Sequence, residues 1–288
     1  MATDLRINLL ASELAMFLTV QVLALFVGFQ FIATKQVNQP QLPATIAEGA
    51  VQLLPLLVAI AIATIILILF LKYFKSPASA KLFLALILFV GINIVFDAFF
   101  PSLIALILTI FVLSARFLKP NVFTHNLVFF LALAGVGARL GTLIRVELVI
   151  GLLIILSIYD YIAVFKTKHM VSMFKDMLQK GIPMGIVIPE HPSHMSRDIS
   201  EVSTSKLKEK TKKSFMMLGG GDLAFPALFA VSALAQYGLT QALGVVFGSL
   251  AGIVIIHWLI VSKKFRALPA LPPLAATAIL GFLISLLF

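Results

Sequence analysis

The chain has 288 residues, 61% of them apolar and only 12% charged, with a mean hydropathy of +1.09. A soluble domain carries about twice that charged fraction, so this composition excludes an ordinary soluble fold and specifies a polytopic membrane protein. Lys and Arg number 22 against 12 Asp and Glu, a net charge of +10, and the absence of cysteine excludes disulfides and thiolate metal sites.

The opening MATDLRINLL lacks the charged, short-apolar and small-residue regions of a cleaved leader, so the first apolar segment reads as a retained helix. A helix needs about 20 apolar residues to cross the hydrocarbon. Cutting the chain at charges, prolines and polar clusters predicts nine spans: 11–33, 51–72, 81–99, 101–118, 122–139, 144–165, 214–236, 239–261 and 268–288. The third and fourth are separated only by Asp97 and Pro101, and the seventh and eighth only by Gln236-Tyr237-Gly238.

Charge orients these spans. If the N-terminus and the even-numbered loops share a side, that side holds 19 of the 22 Lys and Arg, leaving Lys35, Arg139 and Arg145 opposite. Such a bias marks the cytoplasmic face, so the N-terminus is expected inside and the C-terminus outside. The positive charge is then topological and implies no nucleic-acid partner. The long basic loop 166–213 divides the chain into an N-terminal six-helix part, 1–165, and a C-terminal three-helix part, 214–288. Within the loop, Met170, Met173, Phe174, Met177 and Leu178 share one helical face, which predicts a short helix at the membrane surface.

Two carboxylates fall inside spans, where an ionisable group costs at least about 2.5 kcal/mol and marks a functional position. Asp160 lies six residues before Lys166 on the sixth span, and Asp222 nine residues after Lys213 on the seventh. At 1.5 Å per residue both lie about 9–13 Å from the cytoplasmic edge. Carboxylates about 5 Å apart at an effective dielectric near 20 repel by about 3 kcal/mol, which favours a shared proton near neutral pH. One member can then activate water while the other protonates a carbonyl. Beside Asp222, Gly219, Gly220 and Gly221 weaken the helix and admit close contacts, and Pro226 removes the donor to the Asp222 carbonyl. Pro269, Ala270 and Leu271 start the ninth span at the same level.

Taken together, Tyr159-Asp160, Gly219-Gly220-Gly221-Asp222 and Pro269-Ala270-Leu271 resemble the Y-D, G-x-G-D and P-A-L motifs of the presenilin/signal peptide peptidase family of intramembrane aspartyl proteases. The motifs occur in the family's order across a nine-span chain. The resemblance implies an aspartic endopeptidase that cleaves single-span membrane proteins, with Asp160 and Asp222 catalytic, the neighbouring motif residues supporting the site, and no cofactor or metal. The inferred orientation resembles presenilin, whereas signal peptide peptidases place the N-terminus outside. Gly220 stands where most eukaryotic relatives have Leu, a departure that bears on substrate preference. The compact chain is similar to microbial members, which implies residence in a cell membrane.

Residues 182–188, namely Ile182, Pro183, Met184, Gly185, Ile186, Val187 and Ile188, are β-rich and bounded by prolines. A peptide bond must be unwound from its helix before attack, and lipid offers its freed groups no partner. This segment is therefore a candidate strand for pairing with an extended substrate. Asp97, Glu13, Arg139, Arg145 and Glu147 fall near span ends, and His257 is expected at the interface beside Trp258. Gly244, Gly248 and Gly252 form a small-residue stripe for helix packing. The five histidines form no zinc pattern. Two alternatives are a proton-coupled transporter and a prepilin-type leader peptidase. The first predicts midplane sites and related halves, and the second leaves Pro269-Ala270-Leu271 unexplained. A homo-oligomer is compatible with the sequence, which identifies no accessory subunit.

Overall fold

A computed structural model describes residues 2–34, 77–166, 183, 185–189, 192–199, 215–261 and 269–288, with scattered positions between 51 and 66. The helices are α1 (Ala2–Ala33), α2 (Pro77–Asp97), α3 (Ser102–Leu118), α4 (Val122–Leu143), α5 (Val146–Tyr161), α6 (Gly220–Gln236), α7 (Leu239–Val261) and α8 (Leu271–Ser285). A π-turn, Ile162–Lys166, extends α5, and two short strands, β1 (Gly185–Pro189) and β2 (Phe215–Gly219), precede α6. Among the described residues four helical stretches are long and apolar enough to cross a membrane: Asn8–Ala33, Val122–Leu143, Val146–Lys166 and Leu239–Ile260. Ser102–Leu118 and Leu271–Ser285 are apolar but shorter. The expected second span and the amphipathic segment after Lys166 lie largely or wholly outside the described residues.

Two clusters of buried apolar residues hold the bundle together. One joins α1, α2, α4 and the two strands, the other centres on α5, α7 and α8, and α6, α7 and α8 contribute to both. Small residues set the closest approaches. Gly91 on α2 and Gly135 on α4 cross with backbone against backbone, and a Cβ on Gly91 would lie 2.5 Å from the Ala132 carbonyl oxygen. The expected stripe on α7 meets Thr277 and Gly281 of α8 in the same way. By contrast, α3 turns Leu103, Ile107 and Phe111 outward at helical spacing, as suits a lipid-solvated surface.

The seventh predicted span departs from expectation at its start. Residues 215–219 form β2, and the helix begins only at Gly220. The physical reason is the glycine triplet, the weakest helix-forming stretch in this segment, preceded by an apolar run that can pair as a strand. Gly219 is extended, with φ −63° and ψ 144°. The other end of α6 closes on Gly238, whose φ of 102° favours glycine. Its N–H and that of Tyr237 both bond the Ala233 carbonyl, and α7 starts at the next residue.

β1 and β2 pair antiparallel, with Gly185 opposite Gly219 and Pro189 opposite Phe215. β1 is buried throughout its length. Its other edge is met by α4: Asn126 accepts the Val187 N–H at 2.9 Å and donates to the Val187 carbonyl at 2.7 Å. His125 Nε2 sits 2.8 Å from the Gly185 carbonyl.

Candidate active site

Asp160 projects from the last turn of α5 and is 7% exposed, although the residues on either side of it are lipid-facing. Its Oδ2 accepts the backbone N–H of Leu271 at 3.2 Å. The sequence makes that donor singular. Leu271 is the first residue of α8, and the first turn of any helix has N–H groups without intrahelical partners. Pro272 and Pro273 have no N–H, and the Leu274 N–H bonds the Ala270 carbonyl. The Leu-Pro-Pro start therefore offers one free backbone donor, and Asp160 receives it.

Asp222 stands in the first turn of α6, where the positive end of the helix dipole favours a carboxylate. It accepts the backbone N–H of Gly219 and lies within electrostatic reach of Asp160. A Cβ on Gly219 would lie 2.8 Å from Asp222 Oδ2, so glycine at this position leaves the carboxylate its space. Pro226 lies inside α6, four residues on, where its missing N–H leaves the Asp222 carbonyl without its helical donor. The structure thus gathers Asp160, Asp222, the Gly219–Gly221 turn and Leu271 at one end of the bundle.

The remaining expected residues distribute differently. Pro269 is buried and Ala270 half-buried beside Leu271. Gly220 and Gly221 line an apolar cavity of about 430 Å³ that extends between α2, α4 and α6. Tyr159 is 55% exposed, on the outer face of α5. Of the candidate substrate strand, Gly185, Ile186, Val187 and Ile188 lie in β1, and Pro183 is buried just before it. Ile182 and Met184 lie outside the described residues. The outward edge of β1 is not free, because Asn126 and His125 occupy it. In an antiparallel pair successive residues point alternately toward and away from the partner. Val187 faces away from β2, so Met217 opposite it faces away from β1. Among the described residues none bonds the Met217 N–H or carbonyl.

Several polar contacts were not anticipated. His257 Nδ1 lies 2.9 Å from Glu13 Oε2, with both side chains buried between α7 and α1. Both fall near span ends as expected, but the pair is interior to the bundle. Gln21 of α1 donates to the Leu223 carbonyl at 3.4 Å, next to Asp222 in sequence. His125 and Asn126 are adjacent polar residues in an apolar span, a signal that intramembrane polarity alone could have raised. At the opposite end of the bundle Arg145, Glu147 and Tyr237 form an exposed cluster, and Ser102 bonds Asp97. Among the described residues no group of three or more His, Cys, Asp or Glu gathers as metal ligands.

The family model described as signal-peptide peptidase, presenilin aspartyl protease matches residues 14–288. Among solved structures, two described as a presenilin family intramembrane aspartate protease, in the C222 and P2 space groups, are similar in fold. The first has a TM-score of 0.64 at 22% identity, covering 96% of this chain and 98% of the other. The second has a TM-score of 0.63 at 23% identity, covering 95% and 96%. No curated protein matches.

Proposed function

We propose that the chain, which belongs to the signal-peptide peptidase and presenilin aspartyl protease family, hydrolyses peptide bonds in transmembrane segments with a water activated by Asp160 and Asp222. Family membership makes it an integral membrane protein and an aspartic endopeptidase. The assignment of the dyad is carried by one observation: the two intramembrane aspartates, from helices separated by the long loop, come within electrostatic reach at one end of the bundle.

In the reaction one carboxylate removes a proton from water while the protonated partner donates to the scissile carbonyl oxygen. The tetrahedral species then collapses as the departing nitrogen takes a proton from the dyad. Each aspartate has one backbone donor, from Leu271 or Gly219, that steadies its negative charge and fixes its direction. The titration belongs to the pair and not to either residue. A transporter is less well supported, because the two intramembrane aspartates meet at one end of the bundle and not at its centre.

The substrate strand adds to β2. Met217 faces outward, its N–H and carbonyl without partners among the described residues, and β2 runs directly into the turn before Asp222. β1 serves as the inner strand that α4 holds. Nine spans, with 1–165, 166–213 and 214–288 as successive parts and the N-terminus cytoplasmic, complete the proposal.

Incubating purified protein with a single-span substrate and identifying the products by mass spectrometry tests the activity. Internal cleavage within the span, lost in folded Asp160→Asn and Asp222→Asn variants, is the expected result. Undiminished turnover by either folded variant would sink the dyad.

A further inference from the structure

Two cavities share a wall on α2. The smaller, about 150 Å³, lies where α2 begins and α3 ends, and its lining includes Lys81, Ala85, Arg116 and Phe117. Leu84 and Leu88 line it too, and the same two residues line the cavity of about 430 Å³ that reaches Gly220 and Gly221. The two spaces therefore adjoin at one face of α2, with the side chains of Leu84 and Leu88 between a cationic chamber and an apolar one.

The chemistry of the two chambers is opposite. Lys81 and Arg116 are the charged residues of the small one, and among the described residues no carboxylate lines it. Arg116 is only 8% exposed. Asp198 is within electrostatic reach of it, but a bidentate carboxylate engages two of the five guanidinium N–H donors. Lys81 adds a second positive charge at the same end. Among the described residues the larger chamber is lined by apolar side chains and glycine.

An occupant that satisfies both chambers carries an anion at one end and a long apolar chain at the other. Free phosphate leaves the larger chamber without a partner. The cytoplasmic flank of a membrane-protein substrate is typically basic and is repelled by Lys81 and Arg116. A headgroup with its own ammonium is disfavoured for the same reason. We propose that the adjoining cavities bind one anionic glycerophospholipid, its phosphate between Lys81 and Arg116 and one acyl chain passing Leu84 and Leu88 toward Gly220. Basic chambers between helices at the cytoplasmic level are suited to such headgroups. The chain end lies against the first turn of the helix that carries Asp222.

Native mass spectrometry of the purified full chain in detergent, with added phosphatidylglycerol, phosphatidylcholine or inorganic phosphate, tests the site directly and independently of proteolysis. One equivalent of phosphatidylglycerol is expected to bind about tenfold more tightly than phosphatidylcholine. Removing both charges, by Lys81→Gln with Arg116→Gln, should erase that preference, and Arg116→Lys should keep most of it. Ala85→Phe fills part of the small chamber and should weaken phosphatidylglycerol binding with both cations in place. Lys81→Gln alone, at an exposed position, keeps the test decisive if Arg116 variants fail to fold. Equal retention of the two lipids by the wild type, or an unchanged preference in Lys81→Gln, would overturn the site. Displacement of the lipid by millimolar inorganic phosphate would overturn the acyl-chain half of it.

Discussion

The two aspartates reach the site on helices of opposite character. α6 is enclosed: Leu223 and the run Pro226–Ala233 are buried, and the helix packs on α1, α4, α5, α7 and α8. α5 is peripheral in its second half. Ile154, Ile155, Ile158, Tyr159 and Tyr161 are exposed, and after Leu153 the buried positions are Asp160, Ala163 and Val164. Asp222 is placed by a core that also fixes its own helix start. Among the described residues Asp160 is held by one hydrogen bond, from a third helix, at the point where α5 loosens into a π-turn. A dyad assembled this way has one carboxylate set by packing and one set by a contact that can be broken singly.

Removing either carboxyl group should have the largest effect, because both halves of the acid–base exchange are needed whatever holds them. Asp160→Asn and Asp222→Asn are each expected to lower kcat by about 10²–10⁴ or more, with thermal unfolding little changed. The rate should also fall at both acidic and alkaline extremes, since only the singly protonated pair is competent. A flat profile would show that no shared proton is involved.

The sheet gives the next contrast. Met217→Pro removes an outward N–H from β2, and Val187→Pro removes the N–H that Asn126 holds. Met217→Pro should reduce cleavage of a helical substrate by about tenfold or more, the loss of roughly one to two substrate hydrogen bonds, at small cost in stability. Val187→Pro and Asn126→Ala should act on folding first, because each leaves buried backbone or side-chain groups unpaired at about 1–3 kcal/mol apiece. Equal loss of stability in the Met217 and Val187 variants, read by thermal melts, would erase the distinction between inner and outer strand.

Leu271→Pro tests the tether on the peripheral side. Proline is accepted at the first position of a helix and removes the donor to Asp160, but it also disfavours the helical backbone of Ala270 and replaces a buried side chain, so thermal melts accompany the assay. A hydrogen bond to a charged group contributes about 1.5–3 kcal/mol, and a drop in kcat of roughly tenfold or more is expected with KM little altered. Tyr159→Phe should have the smallest effect, less than about twofold, because the phenol lies on the lipid-facing side of α5 and not against Asp160. A large loss in this variant would mean that α5 rotates during turnover.

Much of this arrangement was legible in the sequence. α7 was expected at 239–261 and occurs there, and the predicted spans 101–118 and 122–139 match α3 and α4 to within a few residues. Charge cuts and prolines mark such ends well. The structure brings Asp160, Gly219, Asp222 and Leu271, all drawn from the three motifs, to one end of the bundle. What escaped detection was the strand at Phe215–Gly219, because a five-residue apolar run joined to an apolar helix has no period of its own. Asn126 escaped for another reason. Its role is that of a strand edge supplied by a side chain 61 residues away, and local spacing contains no sign of it. The Glu13 and His257 contact spans 244 residues and was equally hidden.

The turn at Gly238 has a mechanical consequence. With no slack between α6 and α7, and with the glycines of α7 seated against Thr277 and Gly281, a tilt of α6 is passed through α7 to α8. Asp222 and the Leu271 donor therefore sit on helices that α7 couples, one through the Gly238 turn and one through the glycine seam. Asp160 meets that coupled pair from outside, through the Leu271 N–H, so a shift of α8 changes the spacing of the dyad at that contact.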